Sequence, residues 1–255
     1  MPLNLQNLLR TKRLTQAEIE ANRQRFYRTA LEDSSYLDAG NFSKIHVSDI
    51  ERLFHQYDQG VLAGLCRQSL GDTPLTFRLS SRMTSAGGTT THQFKRQGNK
   101  KKTISYEIAI STTLLFQTFR DVERPIQVSG VTCRDRLEAL QRVMEHEITH
   151  LCEMLAWGDS QCSQARFQTI ARTLYGHRDH RHGLITQHER AATRFNIRSG
   201  DRVTFQVEGR VLQGFVNRIT RRATVLVEDP KGSPYQDGKR YSKYYVPLPL
   251  LKRAQ

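Results

Sequence analysis

The stretch from Cys133 to Trp157, CRDRLEALQRVMEHEITHLCEMLAW, decides how the rest of the chain is read. It contains no Pro or Gly. Apolar residues recur at Leu137, Leu140, Val143, Met144, Leu151, Met154 and Leu155, a helical spacing, and Gly158 supplies a stop. Inside it, His146-Glu147-Ile148-Thr149-His150 has the form H-E-x-x-H. Positions i and i+4 of a helix share a face, so both imidazoles can address one metal ion. The Glu between them can reach a water beside that ion and take its proton. The pattern implies a zinc-type hydrolytic site on a buried amphipathic helix, with His146 and His150 as ligands and Glu147 as general base. A purely structural helix would leave two His and a Glu beside an apolar stripe without a reason.

A catalytic zinc site takes three protein ligands and one water. Three sources for the third stand in the sequence. Cys162 ranks first, because a helix-loop-helix return would bring the entry of the next helix back toward the metal and a thiolate is a good zinc ligand. His177 follows, from the cluster His177, His180 and His182. Glu153 comes third; it shares the helix face of His146 and His150. Alternatively, Cys162 is a small buried residue and the His cluster a solvated basic loop.

The 255-residue chain as a whole reads as soluble, with 37% hydrophobic and 25% charged residues. No apolar run approaches the roughly 20 residues that span a bilayer, and Met1 to Thr15 lacks the features of a signal peptide, so a cytoplasmic protein without a membrane partner is expected. Cys66, Cys133, Cys152 and Cys162 form no C-x-x-C pair, which argues against a zinc ribbon or disulfide framework. The net charge of +14 makes nucleic acid the leading partner.

The chain reads as an α+β protein in three parts: a helical arm over residues 1–45, a core over 46–197 and a basic β domain over 198–255. In the arm, Thr15 and Glu18 form a capping box for a helix to about Leu31, with Arg23, Arg25 and Arg28 on a solvated face. A second box, Ser48-Asp49-Ile50-Glu51, opens a helix ending before Gly71. Strands are expected at Leu75–Leu79 and Ile104–Ile110, with a hairpin or bulged edge at Gly87-Gly88 and a basic loop from Lys95 to Lys102. Ser111 to Phe119 reads as a short helix, and Ser163 as the cap of a helix from Gln164 to Tyr175. From Arg198, strand-like runs (202–207, 211–220, 223–228, 241–246) alternate with turns, as in a small SH3-like barrel. Residues 198–255 hold 12 Lys+Arg against 5 Asp+Glu, half of the chain's charge excess. Arg218, Arg221, Arg222, Lys239, Arg240 and Lys243 are the expected phosphate contacts. Tyr241, Tyr244 and Tyr245 either stack on bases or pack within strands.

From about Ile50 to Thr186 the chain resembles the SprT-like zinc metallopeptidases, the family that includes the Spartan proteases, as a bacterial-type member with a basic C-terminal β module. The resemblance rests on Ser81 to Gly88, on Ile104 to Ile110 with Ser111 and Leu114-Leu115, on the His146–His150 motif, and on Phe167 in the following helix. It implies a zincin-like core, a small antiparallel sheet plus the motif helix, that binds Zn2+ and cleaves protein; the Spartan branch implies proteins held on DNA. Two positions depart from the family. Typical members carry a His four residues before the Phe, where Ser163 stands, and the family's C-terminal zinc ribbon is replaced by the β module. The competing expectation is a nucleic-acid-binding protein with a structural or degenerate zinc site.

Overall fold

The computed structural model describes residues 4–97 and 100–254 and is a mixed α and β fold. The chain forms two compact units, Met1–Leu184 and Ile185–Gln255. The division falls upstream of the expected 197/198 boundary because Ala191 and Ile197 are buried in one apolar core with Val203, Val216 and Val225. Residues 1–45 do not stand apart from the first unit: Leu5, Leu8, Leu9, Ile19 and Phe26 are buried there. No helix among the described residues is long and apolar enough to cross a membrane.

The first unit begins with α1 (Leu5–Thr11), α2 (Gln16–Glu32), α3 (Val47–Leu62) and α4 (Leu65–Leu70). A sheet follows, of β1 (Leu75–Ser80), β2 (Gly88–Gln97) and β3 (Lys100–Ser111), then α5 (Thr112–Gln117). A hairpin of β4 (Ile126–Val128) and β5 (Val131–Cys133), then α6 (Arg136–Trp157) and α7 (Ala165–Tyr175), complete the unit. The expected Thr15/Glu18 box opens α2. The Ser48 box does not form; His46 caps α3, accepting from Ser48 N at 3.3 Å while its own N–H donates to Asp49. The expected single helix to Gly71 is broken because the Asp58 carboxylate captures the amides of Cys66 and Arg67 at 3.0 and 3.1 Å, starting α4 anew.

The sheet has the order β1-β3-β2 and is mixed, not antiparallel: β1 runs parallel to β3 and β2 antiparallel to it. The β2–β3 hairpin inserts β3 between the other two strands, and the connection over 81–87 is tied down where Ser111 Oγ donates to Met83 O and Thr113 Oγ1 to Ser81 O. The expected basic loop at Lys95–Lys102 is therefore strand on both sides, with Gly98 and Asn99 outside the described residues. The motif helix starts later than Cys133, since Val131–Cys133 pairs with β4, and Asp135 caps it by accepting from Glu138 N at 2.9 Å. Gly158 ends it at φ 81°. Gln164 rather than Ser163 is the cap position of α7, without a side-chain bond.

Helix α6 is the central beam: it packs against α1 to α5, α7 and β2 to β5. Leu137, Leu140, Met144, Ile148 and Leu151 are all buried, and so are Gln141, Arg142, Glu145 and Glu153. Glu145, 1% exposed, collects the buried polar groups. It accepts from Tyr57 of α3 at 2.8 Å and from His177 Nε2, just beyond α7, at 2.8 Å. It is paired with Arg142 at 3.0 Å and with Arg23 of α2 at 3.6 Å. Arg23 also donates to Tyr175 O at 2.5 Å, so the expected solvated placement of Arg23 is corrected: it is buried and paired. Removing one partner from such a group leaves uncompensated charge at about 3–5 kcal/mol. Glu145→Ala is expected to lower unfolding free energy by about that amount in urea titration, whereas Glu20→Ala, on the exposed side of α2, should leave the midpoint unchanged.

The second unit consists of α8 (Gln187–Phe195), β6 (Arg202–Val207), β7 (Arg210–Ile219), β8 (Ala223–Pro234), β9 (Arg240–Val246), a 3-10 turn at Leu248–Leu250 and β10 (Lys252–Arg253). Its order is β10-β6-β7-β8-β9, antiparallel throughout. The expected SH3-like barrel is not closed: β10 is two residues long and pairs with β6, and among the described residues no ladder joins it to β9. Val203, Phe205, Val216, Ile219, Ala223, Val225 and Val246 point to the core face.

Candidate metal centre

His146 and His150 leave the same side of α6, with their Nε2 atoms 3.2 Å apart. Cys162, on the turn after Gly158, brings its Sγ to them; the three donor atoms lie within 4.8 Å of one another. This is the expected helix-loop-helix return. Burial holds His150 down to about 4 and pushes His146 well below the usual imidazole range, with His150 as a further cause. Both rings are thus neutral, the form that ligates a cation. Burial raises the Cys162 thiol, which a cation would deprotonate.

His150 is held from behind. Its Nδ1 lies 2.8 Å from Ser160 Oγ, which donates to Glu153 at 2.5 Å. Glu153 is itself paired with Arg166 of α7 at 2.6 Å. With Ser160 Oγ–H committed to Glu153, Nδ1–H donates to Ser160 and Nε2 keeps its lone pair for the cleft. The buried Glu153 is therefore a support of the site and not a ligand. The donor set fits zinc: two neutral imidazoles and one thiol, with a buried hydrogen-bonded carboxylate behind one ring.

Glu147 is buried beside them. Thr90 Oγ1 on β2 donates to its Oε2 at 2.8 Å, and burial lifts its carboxyl to about 8 against the lowering effect of that bond. Close approach of β2 makes the contact possible. A Cβ on Gly88 would stand 2.8 Å from Glu147 Cγ and 2.9 Å from Val143 Cγ1, so glycine is required there. A cleft of about 350 Å3 is lined by His146, Glu147, His150 and Cys162, by Ala86 to Thr90, and by His180 to His182.

The other candidates separate. His177 does not join the cluster; it is buried against Glu145, so the closed four-ligand set with His146, His150 and Cys162 is not assembled. Two residues flanking His177, Arg178 and the buried Tyr175, do not line the cleft. His182 reaches it, but Nε2 donates to Ser85 O at 3.1 Å, leaving Nδ1 as an acceptor. The His-rich loop is laced to β4: Ser129 N donates to Arg181 O and Gly183 N to Gln127 O. The turn of that hairpin, Ser129-Gly130 at φ 53° and 71°, is of the type I′ kind. Ser160, Thr90 and Gly88 take their roles from contacts across elements, which no local sequence signal marks.

In the second unit, Arg218, Arg221 and Arg222 are exposed around the β7–β8 turn. Lys239 is paired with Glu228 at 2.8 Å, Arg240 donates to Gly232 O at 2.8 Å, and Lys243 lies over the Tyr235 ring at 5.7 Å. Tyr241 is buried and donates to Asp237, and Tyr244 packs on Phe205 at 5.4 Å between ring centres; Tyr245 is exposed. Comparison of the chain with family models, curated proteins and solved structures returned no match. Loss of an outer hydrogen-bond partner of a metal-binding His costs about 10–100-fold in affinity. Ser160→Ala is therefore expected to weaken Zn2+ binding about 10–100-fold in competition with a chromophoric chelator, and Ser163→Ala to leave it unchanged.

Proposed function

We propose that the first unit is a zinc-dependent endopeptidase of the SprT-like type with a zincin-like core, and that the basic second unit holds nucleic acid, DNA foremost. Its substrates are then proteins bound to nucleic acid. One observation carries the reading: His146, His150 and Cys162 converge at one side of a cleft in which a buried carboxylate, Glu147, stands next to them.

Zinc, when bound, supplies a Lewis acid that polarises the scissile carbonyl and acidifies a water. His146, His150 and Cys162 would hold it, and three donors leave a position for water that four would close. Beside a bound dication, the burial that raises the Glu147 carboxyl would be offset, and the ionised Glu147 would then take a proton from water and return it to the leaving amine. The Thr90 hydroxyl fixes the Glu147 carboxylate through Oε2, which leaves Oε1 for the proton. Val143 and Met154 give the cleft an apolar wall for a substrate side chain. Strand β3, which contains Ile104, is the central strand, and from Tyr106 to Ile110 both its edges are paired. The edge strand at the cleft is β2, and edge addition along Gly88–Thr90 is the alignment we assign to the substrate.

The test is zinc stoichiometry by mass spectrometry beside cleavage of casein with and without DNA. Wild type is expected to hold one zinc per chain and to cleave. Cys162→Ala should lose stoichiometric zinc, while His177→Ala, though less stable, should keep it. Glu147→Gln should keep zinc and lose cleavage by 100-fold or more, the range of a lost general base. Bound zinc without cleavage in any condition would overturn the protease in favour of a structural site.

A further inference from the structure

The sheet of the second unit has one face on its core and one face to solvent, and the solvent face is not an ordinary polar surface. Register places Arg202, Phe215, Leu226 and Lys243 in one cross-strand row and Arg218, Thr224 and Tyr245 in the next. Phe215 is 37% exposed and Tyr245 65% exposed. The Arg202 guanidinium lies over the Phe215 ring at 5.1 Å. Arg202, Arg218 and Lys243 are exposed and enter no ion pair among the described residues, while Glu228, the carboxylate on this face, is neutralised by Lys239. Two strands and two residues separate Phe215 from Tyr245, about 12 Å by strand geometry. The face thus presents two aromatic platforms with cations between and beside them.

We propose that this face binds single-stranded nucleic acid, with bases stacked on Phe215 and Tyr245 and phosphates held by Arg202, Arg218 and Lys243. The proposal rests on the reading above that nucleic acid is the partner of the second unit, and gives it a face and a strand state. A duplex hides its bases and offers phosphates, so exposed rings gain nothing from it; an unpaired strand offers a π-face at every base. An acidic protein would satisfy the cations and leave the rings without a partner. The guanidinium of Arg202 extends the Phe215 platform, since guanidinium planes also stack on bases. This moves the interface from the β7–β8 turn, where the basic residues cluster in sequence, to the middle of the sheet.

The experiment uses the full chain carrying Glu147→Gln, so that self-cleavage cannot intervene. Fluorescence anisotropy would follow labelled oligo-dT, oligo-U and a DNA duplex of equal length. Single strands are expected to bind more tightly than duplex, and the dT and U arms tell DNA from RNA. Phe215→Ala and Tyr245→Ala should each weaken single-strand binding about 5- to 150-fold and leave duplex binding unmoved. Tyr245→Phe should bind as the parent does, because it keeps the ring, and thermal melting would verify that each variant is folded. Arg218→Gln should flatten the salt dependence by about one charge. Equal binding of duplex and single strand, or aromatic variants that bind like the parent, would overturn the stacking face and leave a phosphate-only tether. Failure to bind any of the three probes would overturn the nucleic-acid reading itself.

Discussion

Everything in the first unit depends on how one buried charge is satisfied. Glu145 lies out of solvent, where an unpaired carboxylate is not tolerated. Its partners come from four places: α2, α3, α6 itself and the segment after α7. Each docking event is therefore conditional on the others. Glu145 also immediately precedes His146. A helix turns by about 100° per residue, so one side of α6 is gripped by this cluster while the neighbouring side carries the donors. The rotation of the helix, and with it the direction of both imidazoles, is set from that adjoining flank.

The donor cluster is supported by a second chain of contacts with the same logic. Cys162 lies on a turn, the least constrained setting for a ligand. That turn also contributes Ser160, which joins His150 to Glu153, and Glu153 is joined to Arg166 on α7. The turn and the helix are thus fastened at the donor end. Across the cleft, the absence of a side chain at Gly88 lets β2 lie close enough for Thr90 to reach Glu147. Precision in such a site comes from the rigidity of what stands behind the reacting groups.

Much of this was legible in the sequence, and the part that was not has a common cause. The motif helix, its glycine stop, the Thr15 box and the strands at 75, 202, 211 and 241 follow from period, caps and turn residues, which are local. Cys162 as the third member of the cluster also followed, because a short return between two helices constrains where the second begins. The three-residue strands β4 and β5 carry too few residues for a period. The parallel pairing of β1 with β3 depends on a hairpin that forms elsewhere. Arg23 reads as one of several surface arginines until Glu145 is placed 122 positions away, and Ser160 is an ordinary loop serine until Glu153 and His150 stand on either side. A histidine beside a metal motif suggests a ligand, but the partner of His177 is Glu145, a carboxylate on a different face of α6. The boundary at 197/198 followed the change in composition, whereas the units divide by packing, and Ile197 belongs with the strands after it.

The buried cluster also dictates an order of events during synthesis. Arg23 and its acceptor Tyr175 are 152 residues apart. At about 5–20 residues per second, the N-terminal helices leave the ribosome roughly 8–30 s before the segment they must meet. Until then Arg23 and Tyr57 have no buried carboxylate to join, and the apolar faces of α1 to α3 stand uncovered. A ribosome stalled between α3 and α7 would therefore hold a half-domain whose apolar surface lacks its cover, the kind of species that holding chaperones take up, instead of an early folding unit.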